Sequence, residues 1–221
     1  MIHTRLHFLV VPLLTLFCLP SLAMAATIFN TPTEQYAVYE LVDDLPTAYS
    51  AYGRLQDEPH TYQFTLSATT TIKVALFSVD ETDANPLFST ILVLDQGNQG
   101  VREVKRMRAA EMEWQLYQDP RTKMLYQQAD TYTLDIAPGT YRVEVSTPDN
   151  AGAYRLDVVG EGSETVGFFT EVREIRAIQV FHGYGWWNLI RTSAVQTPLL
   201  FLVVAIGMYL SWRYARRRKL I

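Results

Sequence analysis

A chain of 221 residues with 48% hydrophobic side chains and a single cysteine has material for a core but none for a disulfide framework. Its formal net charge of −4 hides an uneven layout: all 23 acidic residues lie between Glu34 and Glu174, while five of the 19 basic ones crowd into the last nine positions. Between the apolar ends stand 12 basic against 23 acidic residues, a net charge of −11, which excludes nucleic-acid binding driven by counterion release.

The chain opens MIHTRLHFLVVPLLTLFCLPSLAMAA. A weakly basic start, an apolar run from Phe8 to Leu19 and the small-residue pattern Ala23-Met24-Ala25 predict a secretory signal peptide over 1–25, cut after Ala25. Phe17 before Cys18 is too bulky for a lipoprotein signal, so Cys18 leaves with the leader. Thiol catalysis and cysteine-bearing zinc sites are thereby excluded, and only His60 and His182 remain of the four histidines.

Residues 26–160 predict an extracytoplasmic all-β domain, a jelly-roll-like antiparallel β-sandwich. The runs TYQFTLS (61–67), TTIKVALFSV (70–79), STILVLD (89–95), TYTLDI (131–136), TYRVEVS (140–146) and AYRLDVV (153–159) alternate apolar and polar residues. That is the period of half-buried strands, with turn signals between them and no intervening helical period. Asp57, Glu58 and His60 share one loop and are the candidates for acid–base chemistry, but nothing supplies a triad or selects a carboxylate pair; the expectation is no enzyme and no cofactor. Asp80, Glu81, Asp83 and Asn85 offer oxygen ligands in the loop after a strand and are a calcium candidate, without the spacing or glycine of an EF-hand. VREVKRMRAAEMEWQLYQDP (101–120) sets Arg102, Lys105, Arg106 and Arg108 within seven positions. Its first half reads as a short helix or a long connecting loop, either a basic patch for an anionic partner or a solvated segment paired with local acids. EMEWQLY then alternates, placing Met112, Trp114 and Leu116 on one face.

The closing strands carry Pro138-Gly139-Thr140-Tyr141-Arg142-Val143-Glu144-Val145 and Gly152-Ala153-Tyr154-Arg155-Leu156-Asp157-Val158; upstream, Gly53-Arg54-Leu55 precedes Tyr62-Gln63-Phe64-Thr65. In this order the motifs resemble the bacterial pre-peptidase C-terminal (PPC-like) domains over about residues 47–160. The long insertion 97–128 and the C-terminal anchor depart from that family's pattern. The resemblance implies a jelly-roll-like binding or accessory module and carries over no catalytic residue.

From Glu164 the period of Phe169, Val172, Ile175, Ile178 and Phe181 or His182 predicts an amphipathic helix within a juxtamembrane neck, 161–190, ended by Gly183 and Gly185. Its polar face counts as many acids as bases, which favours protein contact over lipid. Residues 191–212 then predict one transmembrane helix: the 21 residues between Arg191 and Arg213 rise roughly 31 Å, the thickness of a hydrocarbon core. Tyr184, Trp186 and Trp187 fall at one interface, Trp212 and Tyr214 at the other, the glycines between neck and helix reading as a hinge. Arg213, Arg216, Arg217, Arg218 and Lys219 make the tail 213–221 cytoplasmic by the positive-inside rule. Gly207, Ser211 and Ala215 form a small-residue row for helix packing. The expectation is a single-pass protein of the cytoplasmic (inner) membrane, its bulk outside or periplasmic. Its sandwich serves a membrane or periplasmic protein complex, with docking through neck and membrane helix. The alternative is recognition of a glycan or wall polymer through Trp114 and exposed tyrosines.

Overall fold

A computed structural model of the chain describes residues 23–24, 26–29, 38–41, 48–80, 85–160, 164–165 and 167–218. Except for Ala23 and Met24, the leader predicted over 1–25 lies outside the described residues. The strands are β1 (Ala23–Met24), β2 (Ala26–Phe29), β3 (Val38–Glu40), β4 (Ala48–Gln56), β5 (His60–Leu66), β6 (Thr70–Ser78) and β7 (Ser89–Asp95). They continue as β8 (Val101–Met107), β9 (Trp114–Gln118), β10 (Leu125–Ala129), β11 (Tyr132–Ile136), β12 (Gly139–Ser146), β13 (Ala151–Val159) and β14 (Glu164–Thr165). All six predicted runs are strands, with bounds within two residues of those expected.

Two sheets form. The larger runs β2-β4-β13-β6-β10-β9 with β11 also paired to β6; the smaller runs β3-β5-β12-β7-β8; β1 pairs with β14. Alternation puts one side of each strand into a shared core. Tyr62, Phe64 and Leu66 on β5, Tyr141, Val143 and Val145 on β12, and Leu92 on β7 come from the smaller sheet. Ile72, Val74 and Leu76 on β6, and Tyr154, Leu156 and Val158 on β13, come from the larger. Each fully buried side chain of this size contributes about 1.5–3 kcal/mol.

The sandwich forms as expected, its sheets antiparallel except that β2 runs parallel to β4 and β3 parallel to β5. The chain changes sheet at each step from β2 to β5, and a strand that returns to its own sheet after a crossover arrives parallel. The basic stretch 101–107 is neither helix nor loop but the edge strand β8, paired to β7 with a register shift at Leu92/Val93. Its lone outer edge needs no apolar period, and Arg102, Lys105 and Arg106 discourage further strand pairing. Only Val104 and Met107 pack on the core.

The chain divides into two compact units, Ala23–Asp119 with Met124–Thr165, and Pro120–Lys123 with Val166–Ile221. In the second unit, helix α1 (Phe168–Phe181) is followed by a 3₁₀ run (Trp186–Arg191) and helix α2 (Ser193–Arg218). Gly183, at φ +77°, ends α1: its N–H donates to the Val180 carbonyl at 2.9 Å and the Tyr184 N–H to the Gln179 carbonyl at 2.8 Å. Those two bonds are a Schellman cap, so this glycine holds a defined turn where the sequence reads a hinge. Thr192 opens α2, its carbonyl accepting from the Gln196 N–H at 2.9 Å.

Candidate functional site

The acid–base candidates fall in three different environments. Asp57 is exposed, Glu58 half-buried, and His60 turns inward. His60 Nδ1 lies 2.9 Å from the Tyr154 hydroxyl, which lies 2.7 Å from that of Tyr62. Burial lowers the imidazole below its ordinary value, with Glu58 acting in the opposite sense. Gly53 stands opposite Tyr154 in the register, and a Cβ there would sit 2.6 Å from the tyrosine ring. The motif residues Gly53, Tyr62 and Tyr154 thus meet at one point in the core, where the glycine leaves room for a ring. Their pattern is a packing device.

A polar cluster without any signal in the residue pattern lies on the other face of the larger sheet. Arg155 stands between Tyr52 of β4 and Phe77 of β6, and Tyr52, Phe77 and Tyr126 are buried there. Its guanidinium donates to Asp119 at 2.5 Å and to both Asp157 oxygens at 2.7 Å. It also sits 4.8 Å from the Phe77 ring centre and 5.6 Å from that of Tyr126. Burial opposes the charge, yet Asp157, Tyr52 and Asp119 together hold the guanidinium protonated well beyond its ordinary range. Burial pushes the Tyr52 hydroxyl up to about 12. An arginine that gives three of its five N–H groups to two carboxylates and is flanked by rings is placed to fix structure.

Of the calcium candidates, Asp80 and Asn85 are exposed, while Glu81 and Asp83 lie outside the described residues. Among the described residues no group of three or more metal-type side chains converges. On β8, Arg106 pairs with Glu103 at 2.9 Å, and Arg108 just beyond it pairs with Glu111 at 3.3 Å, all four exposed. A groove of about 280 Å³ beside them is lined by Ser89, Ile91, Arg106, Glu144 and Ser146. Such surface pairs are screened by solvent and add little to stability. Trp114 is half-buried against the core, Met112 is buried, and Leu116 is exposed, because β9 runs past the covered part of its sheet. Among the described residues of the sandwich, Tyr39, Trp114, Tyr117 and Tyr132 are half-buried and no tyrosine or tryptophan is more exposed.

The second unit turns its aromatic residues outward. Tyr184, Trp186 and Trp187 are exposed before α2, Trp187 by 81%; Trp212 and Tyr214 are exposed at its far end. Arg216 stacks 4.2 Å from the Trp212 ring. Arg217 and Arg218 continue α2, and Lys219 lies outside the described residues. Gly207, Ser211 and Ala215 are exposed, and nothing stands within 4 Å of a Cβ at Gly207. The span Ser193–Arg216 contains an 18-residue window of mean hydropathy 1.8, none of it buried by the other described residues. A core helix of a soluble protein would be covered; this one is long and apolar enough to cross a membrane and is bare. α1 shows the largest shift from expectation. It buries Glu171, Ile175, Ile178 and Gln179, while Phe169, on the predicted apolar face, is 75% exposed.

No family model matches the chain, and comparison with curated proteins finds no match. Among solved structures the chain is similar to the pre-peptidase C-terminal domain of collagenase from Bacillus anthracis, at 17% identity and a TM-score of 0.35, over 58% of this chain and 98% of that one. It is similar to the periplasmic g-type lysozyme inhibitor PliG of Aeromonas hydrophila, at 10% identity and a TM-score of 0.36, over 61% and 99%. A CBM35 module from Cellvibrio japonicus Abf62 follows at 16% and 0.29, over 50% and 71%. These neighbours are sandwich modules, and at such values the likeness concerns the arrangement of strands alone.

Proposed function

We propose that the chain is a non-enzymatic, single-pass membrane protein. Its β-sandwich is held on the extracytoplasmic side as a binding or accessory module, and its membrane helix brings it to a membrane-embedded protein partner. The observation that carries this reading is α2, a span whose apolar stretch is left unburied by the other described residues. Aromatic side chains stand at both of its ends, with tryptophan and tyrosine where a bilayer meets water. The basic run from Arg213 to Lys219 supports a cytoplasmic C-terminus. A non-catalytic role is supported by the burial of His60, whose Nδ1 faces the Tyr154 hydroxyl in the core, while Asp57 is exposed. The row Gly207, Ser211, Ala215 is the part of α2 that lets a second helix approach closely.

Photo-crosslinking groups placed one at a time along α2 in the full-length protein, in its native membrane, test this. The expected pattern is protein crosslinks concentrated at positions 207, 211 and 215 and weak at 202 and 209. Crosslinks to lipid alone all round the helix, together with lone monomers in mild detergent, overturn the partner. A C-terminal reporter found on the outer side overturns the orientation.

A further inference from the structure

We propose that the outward face of α1, joined to Trp186, docks on the anionic headgroups of the bilayer, so that the neck lies along the lipid surface at the point where α2 enters it. This rests on α2 crossing a membrane. Counted along the sequence, α1 has two acids and two bases, and that parity favours protein over lipid. Folding breaks the parity. Glu171 is buried, and Glu174 is held by Arg121 at 2.8 Å, each partner of that pair about one-fifth exposed. At 100° per residue, Arg176, Phe169, Val180 and Arg173 fall within a sector of about 60° on the far side of the helix from Glu171. Phe169, Arg173 and Val180 are exposed in that sector, and no acid shares it. The face α1 presents is therefore apolar and cationic, the combination that binds an anionic interface.

Arg176 makes the face continuous with the collar. Its guanidinium lies 4.8 Å from the Trp186 ring centre, and it donates to the Tyr184 carbonyl at 2.9 Å. The Gly183 turn and the 3₁₀ run that ends at Arg191 then lead straight to Ser193 at the start of α2. Phe169 and Val180 supply the apolar depth, Arg173 and Arg176 the headgroup contacts, and Trp186 the ring that settles at the interface.

The test uses the full-length chain with Cys18→Ser, reconstituted into phosphatidylcholine vesicles with or without one-third phosphatidylglycerol. A fluorophore is attached at Ala177→Cys, a half-buried position at the margin of the face and outside its docking residues, and quenching by brominated lipid reports its depth. Strong quenching in the phosphatidylglycerol vesicles is expected, with loss in neutral vesicles or high salt. Arg173→Gln with Arg176→Gln lowers the docked-to-free ratio roughly 30-fold, and the double lysine variant retains docking. A label that stays open to water in both vesicle types while α2 remains inserted overturns the lipid surface and leaves the membrane reading standing. A label shielded equally in neutral detergent by a co-purified protein overturns it in favour of a protein partner. Extraction of the whole chain by alkaline carbonate sinks the membrane reading and this proposal together.

Discussion

The two units spend the same kind of residue in opposite ways. In the sandwich, Tyr52, Tyr62, Tyr126, Tyr154 and Phe64 are fully buried; in the second unit, Phe169, Trp186, Trp187 and Trp212 are exposed. Large aromatic side chains in water are unfavourable unless another medium takes them up. The contrast therefore says that the sandwich is built for an aqueous solvent, and the neck and helix for one that accepts apolar surface. It also predicts where substitutions will be felt: as lost stability in the first unit, as lost membrane placement in the second.

The largest expected effect tests the first half of that contrast. Arg155→Met leaves Asp119 and Asp157 buried without their cation, and is expected to destabilise the sandwich by roughly 3–5 kcal/mol. In thermal unfolding of the detergent-solubilised full chain this appears as a drop of roughly 10 °C. Adding Asp119→Asn and Asp157→Asn recovers much of it; a drop below about 2 °C for Arg155→Met alone means the cluster is solvated after all. Next comes Gly53→Ala, whose Cβ meets the Tyr154 ring at 2.6 Å, with an expected loss of about 1–3 kcal/mol in the same measurement.

Smaller again is the pH dependence of His60. Its folded value is lowered by burial, so between that value and the ordinary 6.5 the unfolded chain binds the extra proton. The stabilisation is complete above pH 6.5 and declines as the pH falls through 6.5 towards the folded value. The slope between pH 7 and 5 is therefore expected to be steeper in the wild type than in His60→Gln; equal slopes would show that the imidazole titrates as it does in water. The smallest effect belongs to the other unit. Trp187→Ala, despite removing a large ring, is expected to shift the unfolding of the sandwich by less than about 0.5 kcal/mol.

How far the sequence discloses this depends on how local the cause is. Strand alternation and the apolar span are local, and both are visible in the residues themselves. β8 is not, because an edge strand with charged side chains has no apolar period to read. Arg155 and Asp157 occupy polar positions in an alternating run, which predicts solvent contact. Their burial depends on what happens at Tyr52, Phe77, Asp119 and Tyr126, far away in sequence. The face of α1 is a third case: its apolar period singles out Phe169 and Ile175 alike, and only tertiary packing decides that Ile175 is covered and Phe169 is not. The motif residues Gly53, Tyr62 and Tyr154 are legible as a pattern, but their meeting point is a matter of register.

The central pairing of the larger sheet joins Ala48 to Val159 and Gln56 to Ala151, strands from opposite ends of the unit. Such distant partners make closure slow, since the intervening loop must be drawn in before any contact rewards it. On the proposed topology, β13 is delivered to the outer side only shortly before α2 reaches the membrane. Until then β4 and β6 each offer an unpaired edge, a template for association between half-made chains. Export and folding are thus tied in time: the sandwich finishes when the chain has almost stopped moving, and a chain stalled short of Val159 is the one the cell must clear.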